Sequence, residues 1–467
     1  MKKKLSHILS GQLKAACDFI GIDKAVYYSV LLRMVSIVGS IATVPMILTK
    51  LTPTEQGYYY TFGSILALQV FLELGFGGVA VQMMAHEAAH LKIDLTKGIT
   101  GPQENIDRLS ATFQFIRKWY AVISVLVGIL LLPMGLFFFA TSRAEPSVHW
   151  VGPWVILVVS TSGDLFVRSL DATVEGMGFV AESIRVNLWS SVVRILLVVL
   201  GLLFGMKLYA VPVASAVALI MNRWMVWKLL NVISMETRRH GKDIRINWRR
   251  DVLPFQWRIA LSWVSGWFIF SAMVPTVFRN FGPVEAGRFG LALTLSSHIN
   301  TLALNWTSTK AAVWGQMASR KDWKAMDALF RKVAPQAVGI AIVGSAIAVI
   351  TVPYLGQWLP RLSGRIPDWQ VLATLCTVTV LNQVVFAQAF YLRAHKKEPL
   401  LINSILGGAA MALGLCCFSY KSTLGMAIMY MNITLIVGLG IGSIIFLYCR
   451  NLWHSQSPGP LVDPIGK

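Results

Sequence analysis

Residues 119–140 read WYAVISVLVGILLLPMGLFFFA, 22 positions without one charged side chain. Coiled as an α-helix rising about 1.5 Å per residue, such a run crosses a hydrocarbon layer roughly 30 Å thick, with its aromatic end at the rim. Windows of about 19 residues find the same pattern repeatedly. Spans fall near 26–48, 57–84, 119–141, 150–175, 183–205, 208–230, 257–279, 285–312, 333–354, 369–392, 399–419 and 424–449. At this length only helices satisfy their own backbone hydrogen bonds inside lipid, since barrel strands are far shorter. The expectation is an all-α polytopic membrane protein of about 12 transmembrane helices.

The composition agrees. Of 467 residues, 55% are apolar and 14% charged, and the mean hydropathy is +0.61, which excludes a disordered chain and an ordinary soluble domain. A net charge of +20 raises nucleic acid as a partner, but no polar segment is long enough to fold into a basic domain. Topology explains the charge better. With the N-terminus inside, the segments between spans on the cytoplasmic side, termini included, carry 26 Lys and Arg and the external loops 6. This bias predicts a multi-pass protein with both termini cytoplasmic. Met1-Lys2-Lys3-Lys4 leads into a segment interrupted by Ser6, His7, Ser10, Gln12, Lys14, Asp18 and Asp23. It forms no signal-peptide core, and residues 5–24 read as an interfacial helix. Cys17, Cys376, Cys416, Cys417 and Cys449 are odd in number and lack C-x-x-C spacing, so neither a disulfide framework nor a metal site is expected. No P-loop, H-E-x-x-H or G-x-S-x-G motif occurs in context, and external loops are short. No catalytic residue and no cofactor is assigned.

The chain also repeats itself. Thr52-Pro53-Thr54-Glu55-Gln56-Gly57-Tyr58-Tyr59 opens the second span, and Gly282-Pro283-Val284-Glu285-Ala286-Gly287-Arg288-Phe289 opens the eighth, matching Pro, Glu and Gly at an offset of 230. Glu182 and Asn187 recur as Glu398 and Asn403 at an offset of 216. Two echoes in corresponding places favour a parallel duplication of six helices, which makes two six-helix lobes with a path at their interface. The division expected is a lead-in at 1–25, an N-terminal lobe at 26–230, a basic cytoplasmic linker at 231–256, a C-terminal lobe at 257–449 and a tail at 450–467.

A charge at mid-bilayer costs about 2.5–3.5 kcal/mol, so ionisable residues within spans are functional candidates. Asp164, Arg168, Asp171 and Glu175 follow i, i+4, i+7 and i+11 and share one helical face. The stripe faces water or a polar helix, or else it is a ladder of Asp164, Arg168 and Asp171 that neutralises itself. Asn187, Ser191 and Arg194 share a face of the fifth span, with Arg194 too central to snorkel easily. Arg33 and Lys310 lie nearer the cytoplasmic side, where snorkelling is an alternative, and Arg223 beside Trp224 reads as interfacial. Glu73, ahead of Gly75-Phe76-Gly77-Gly78, suits a counter-ion or proton carrier in a helix free to bend, or packing through small residues. His298 shares a face with Thr301, Asn305 and Ser308 and reads first as a satisfied interior histidine, second as a titrating site. The intramembrane cations sit mostly in the first half, from the bilayer centre inward. An inward-opening cavity lined by Arg suits an anionic cargo, because guanidinium binds phosphate bidentately.

The stretch Gly57-Tyr58-Tyr59-Tyr60-Thr61-Phe62-Gly63-Ser64 through Glu73-Leu74-Gly75-Phe76-Gly77, ending Gln82-Met83-Met84-Ala85-His86-Glu87, resembles the second-span region of bacterial polysaccharide-unit flippases. These form the Wzx-type (O-antigen unit) branch of the multidrug/oligosaccharidyl-lipid/polysaccharide exporter superfamily. The resemblance implies an inverted-V pair of six-helix lobes that moves an undecaprenyl-diphosphate-linked oligosaccharide between leaflets by alternating access. Its implied partners are that lipid-linked oligosaccharide, membrane lipids, and other membrane proteins of surface polysaccharide assembly. The family's cationic cavity corresponds in kind to Arg33, Arg168, Arg194 and Lys310. Asp164 and Asp171 depart from a cationic lining and, with Glu73 and His298, are candidates for counter-ions or for coupling to H⁺ or Na⁺. The alternative within the superfamily is antiport of a small cationic drug through Asp164 and Glu73.

Overall fold

A computed structural model describes residues 24–94, 98–142, 147–239, 253–362, 364–395, 397–417 and 420–455. The lead-in expected at 5–24, apart from Lys24, lies outside the described residues, as do 240–252 of the linker and 456–467 of the tail. The helices run in order as α1 (Lys24–Lys50), α2 (Pro53–Leu66), α3 (Val70–Glu73), α4 (Phe76–Ala88), α5 (Gln103–Thr141), α6 (Val151–Gly176), α7 (Val180–Leu203) and α8 (Ala210–Arg239). They continue as α9 (Leu253–Phe270), α10 (Met273–Phe281), α11 (Pro283–Ser308), α12 (Ala311–Ser319), α13 (Trp323–Trp358), α14 (Trp369–Arg393), α15 (Leu401–Cys417), α16 (Thr423–Ile433) and α17 (Gly442–Ser455). A π-helical turn, Thr434–Ile441, joins the last two.

Among the described residues, nine helices are long and apolar enough to cross a membrane, and the bent pair Pro53–Glu73 and Phe76–Ala88 makes a tenth. Two further helices bring the set to twelve: α11, whose Arg288, His298, Asn300 and Asn305 lower its hydropathy, and the 17-residue α15. The fold is all-α. One two-stranded hairpin, Lys92–Asp94 paired antiparallel with Gly98–Thr100, interrupts the connection before α5 and was not expected from sequence. Val122, Val125 and Ile129 of α5 are exposed to more than half their area, as side chains facing lipid should be.

Backbone contacts divide the chain into two compact units. Unit 1 comprises Met1–Leu51, Leu72–Phe137 and His149–Trp257; unit 2 comprises Thr52–Phe71, Phe138–Val148 and Arg258–Lys467. Residues 52–71 therefore pack with the second half of the sequence, for a local reason. Thr52 caps α2: its hydroxyl accepts from the Glu55 amide at 3.1 Å, while its own amide donates to Glu55 Oε2 at 2.8 Å. Such a reciprocal cap stabilises a helix start by about 1 kcal/mol. α2 then crosses α11 at the echoed glycines. A Cβ on Gly57 would stand 1.9 Å from the Pro283 carbonyl oxygen, and one on Gly287 would stand 3.0 Å from the Gly57 nitrogen. Gln56 Nε2 donates to the Gly287 carbonyl at 3.1 Å. The repeated Pro-x-Glu-x-Gly text thus builds both sides of one close helix crossing. Small residues let backbones approach in lipid, where no hydrophobic force drives helices together.

The second echo has a matching partner in each unit. In unit 1, Asn222 Nδ2 donates to Asn187 Oδ1 at 3.2 Å; in unit 2, Asn403 Nδ2 donates to the Gly438 carbonyl at 3.1 Å. Both bonds span 35 residues, so both partners obey the 216-residue offset. In unit 2 the accepting carbonyl lies in the π turn, where the i→i−4 ladder is broken. Unit 2 is closed at one end by a knot around Tyr391. Its hydroxyl donates to Asp327 Oδ1 at 2.6 Å and contacts His454 Nε2 at 3.2 Å, while Arg450 forks onto the Asp327 carboxylate. Trp323 stacks on both His454 and His395. Burial among these rings pushes the His395 imidazole below its ordinary range.

Candidate functional site

The polar interior of unit 1 is organised by a break. After Glu73 the chain unwinds through Leu74 and Gly75, both at positive φ (52° and 69°), and α4 leaves at 44° to the preceding segment. The second span, drawn as continuous over 57–84 from sequence, is two pieces. Glu73, 6% exposed, ends the first, where the carbonyl end of a helix repels a carboxylate. Two groups compensate. Arg168 Nη1 donates to Glu73 Oε2 at 3.2 Å, and the Tyr120 hydroxyl donates to Oε1 at 3.2 Å. The cluster needs Gly77 opposite: a Cβ there would lie 3.3 Å from the Tyr120 hydroxyl and 3.5 Å from Glu73 Oε1.

The face shared by Asp164, Arg168, Asp171 and Glu175 exists, but its charges pair with other helices. Asp164 Oδ2 lies 3.7 Å from Arg194 Nη2 on α7. Glu175 Oε1 accepts from the Ser183 hydroxyl at 2.9 Å. At ion-pair distance no Asp164–Arg168 or Arg168–Asp171 contact forms, so the self-neutralising ladder is corrected to two interhelical pairs. Cross-helix pairing wins because it also relieves Glu73, which a ladder along α6 would leave as a lone buried charge. Asp171 Oδ1 and Arg194 Nε are buried without a hydrogen-bond partner among the described residues. Along this face Glu73, Asp164, Asp171 and Glu175 thus meet two guanidiniums, Arg168 and Arg194, both already engaged.

The other candidates are placed apart. Arg33 is exposed on α1, the helix that packs along α7 in unit 1. Lys310 is exposed between α11 and α12, and His298, expected as a satisfied interior histidine, is instead exposed on α11; both belong to unit 2. Unit 2 has its own half-open cavity of about 260 Å³ with a neutral lining. Ser296, Ser297, Asn300, Thr379, Asn382 and Tyr430 supply its polar groups, and Phe270 and Phe386 are among its apolar walls. Gln383 Nε2 beside it donates to Asn300 Oδ1 at 2.6 Å. Sequence reasoning named neither Tyr120 as a partner of Glu73 nor this cavity. Tyr120 reads as an interface aromatic next to Trp119, and its only signal is the small residue at Gly77 that leaves it room.

No protein-family model and no curated protein matches the sequence. Solved structures do match. One is an inward-facing conformation of a multidrug resistance MATE family transporter of the MOP superfamily, with TM-score 0.72 and 13% identity over 93% of this chain and 98% of that one. The fold is that of MATE transporters. An outward-facing MATE multidrug transporter of the same superfamily aligns with TM-score 0.57 and 16% identity over 92% and 95% of the two chains. A MOP superfamily transporter from Pyrococcus furiosus, described as having reversed polarity of its binding pocket, aligns with TM-score 0.56 and 13% identity over 92% and 95%.

Proposed function

We propose that this chain is a secondary transporter that moves a small organic molecule across the membrane by alternating access of two lobes, in exchange for H⁺ or Na⁺ through the carboxylates of unit 1. The pairing of Arg168 and Arg194 carries the reading. Guanidiniums that already hold Glu73 and Asp164 cannot also clamp a lipid diphosphate without leaving carboxylates unpaired in low dielectric. An ion-paired network with a third, half-buried acid at Asp171 is suited to taking up and releasing a cation. The neutral, partly aromatic cavity of unit 2 suits an amphipathic cargo held by hydrogen bonds.

The lipid-linked oligosaccharide reading loses its main support on the same ground. The residues that carry the flippase resemblance have structural duties: Gly57 in the crossing with α11, and Glu73 to Gly77 in the break of the second span. The MATE-fold neighbours include multidrug transporters and one whose pocket polarity is described as reversed, so this fold does not by itself fix the sign of the cargo. The basic side given by the sequence is taken as cytoplasmic, with both termini there, in a bacterial inner membrane.

The test is transport by the purified chain in proteoliposomes under an imposed pH or Na⁺ gradient. Cationic dyes should move against the gradient, and Glu73→Gln and Asp164→Asn should each cut uptake by tenfold or more. The flippase reading would return if no cation gradient drove dye movement while a lipid-linked oligosaccharide crossed the leaflets.

A further inference from the structure

On the face of α6 turned away from Asp164 and Arg168, unit 1 contains a second cationic pocket. Phe166 and Leu170, one turn apart, form its floor together with Phe113 and Arg117 of α5 and Arg223 and Trp227 of α8. The cavity measures about 300 Å³. α5 begins at Gln103, α6 ends at Gly176 and α8 ends at Arg239, so the pocket lies toward one end of these three helices, the end on which Lys and Arg accumulate. Arg117 Cζ sits 5.8 Å from the Phe113 ring centroid, which fixes its direction. Arg223 is half-buried. Among the described residues no carboxylate lines the pocket, and none reaches ion-pair distance of Arg223.

The geometry points to a resident binding site for the phosphate of an anionic diacyl phospholipid. The half-buried Arg223 guanidinium, with no carboxylate at ion-pair distance among the described residues, demands an anion, and at the level of the headgroups phosphate is the anion in supply. Trp224 and Trp227 are 59% and 49% exposed, and Lys228 Nζ lies 5.5 Å from the Trp224 ring, an arrangement typical of a membrane–water interface. One and two turns earlier on α8, Ile220 and Val217 continue an exposed apolar track on which an acyl chain can lie. Free inorganic phosphate would use the guanidiniums but gain nothing from that track or from the tryptophans. The site is independent of the transport reading, since it uses neither the carboxylates of unit 1 nor the cavity of unit 2.

Native mass spectrometry of the full-length chain released from detergent tests it, with phosphatidylglycerol, phosphatidylcholine and inorganic phosphate as probes. Phosphatidylglycerol should stay bound at collision energies that strip phosphatidylcholine, and millimolar phosphate should not displace it. Arg223→Gln should weaken phosphatidylglycerol retention about fivefold, the effect of one basic residue near the headgroups, while phosphatidylcholine is unchanged; Arg279→Gln, far along the chain, should do nothing. Equal retention of both lipids by the unaltered chain, displacement by phosphate, or undiminished binding to the Arg223→Gln variant would each overturn the assignment. Should that variant fail to accumulate, the unaltered chain's lipid preference and the phosphate competition still decide.

Discussion

The two units share a plan and differ in what fills it. The asparagine in each copy of the second echo makes a bond across the same 35 residues. Yet the interior of unit 1 holds Glu73–Arg168 and Asp164–Arg194, whereas unit 2 places amides and hydroxyls at depth and collects its charge pairs near helix ends, as in Asp327–Arg450, Arg393–Glu398 and Glu285–Arg288. Glycine and asparagine at helix contacts are tied to packing, so they persist in both copies. Charges within a bilayer cost about 2.5–3.5 kcal/mol each on insertion and bring no packing in return. Among the described residues, ion pairs at depth are thus the chemical difference between two units that share their packing plan.

The sharpest way to break the comparison is at the crossing made by the first echo. Gly57→Val would drive a side chain into the Pro283 carbonyl, an overlap that no rotamer relieves, and should cost on the order of 3 kcal/mol or more. Little folded protein should survive gel filtration. Gly287→Ala meets its nearest neighbour at 3.0 Å and should cost about 1–2 kcal/mol. Gly63→Ala, with nothing within 4 Å, serves as the control and should melt like the parent. Equal melting of the Gly57 and Gly63 variants would show that the echo is not a contact.

Next in size is the pair that sets unit 1 apart. Arg168→Ala leaves Glu73 buried against the carbonyl end of α3 with only Tyr120 to donate to it. Full burial of both partners would make this loss about 3–5 kcal/mol, but half of the Arg168 side chain is exposed, so about 1–2 kcal/mol is expected. Adding Glu73→Gln should recover most of it, and thermal melting of the four proteins in one detergent measures the coupling. Strict additivity would mean that the two groups do not stabilise each other, and the charged interior would be no network.

How much of this was legible depends on the range of the interaction. Apolar runs place the spans because lipid acts on each segment alone, and the drawn limits fall within a few residues for α1, α6 and α14. α5 starts at Gln103 and α13 at Trp323, well before the spans drawn from 119 and 333, because Glu104, Asp107 and Arg108, or Lys324, Asp327 and Arg331, end an apolar run without ending a helix. Helical spacing put Asp164, Arg168, Asp171 and Glu175 on one face. It could not say that Glu73 and Arg194 would come to meet that face, since such meetings are set by packing between helices remote in sequence. The break at Leu74–Gly75 had its sign in the neighbouring glycines; its angle had none.

The finest discrimination lies in the second echo, where equivalent asparagines face different acceptors. Asn187→Ala removes the acceptor for the Asn222 amide, which sits on a side chain whose direction the backbone does not fix, so the loss should be about 0.6 kcal/mol. Asn403→Ala strands the Gly438 carbonyl inside a π turn, where the backbone has fixed its direction and lipid offers no donor. That loss should reach about 1–2 kcal/mol, the cost of a buried polar group without a partner. Parallel melts of the two variants read the order directly. Equal losses would mean that the π turn closes its own hydrogen bonds once the amide is gone; a larger loss at Asn187 would place the stricter polar requirement in the charged unit, against the account given for the neutral one.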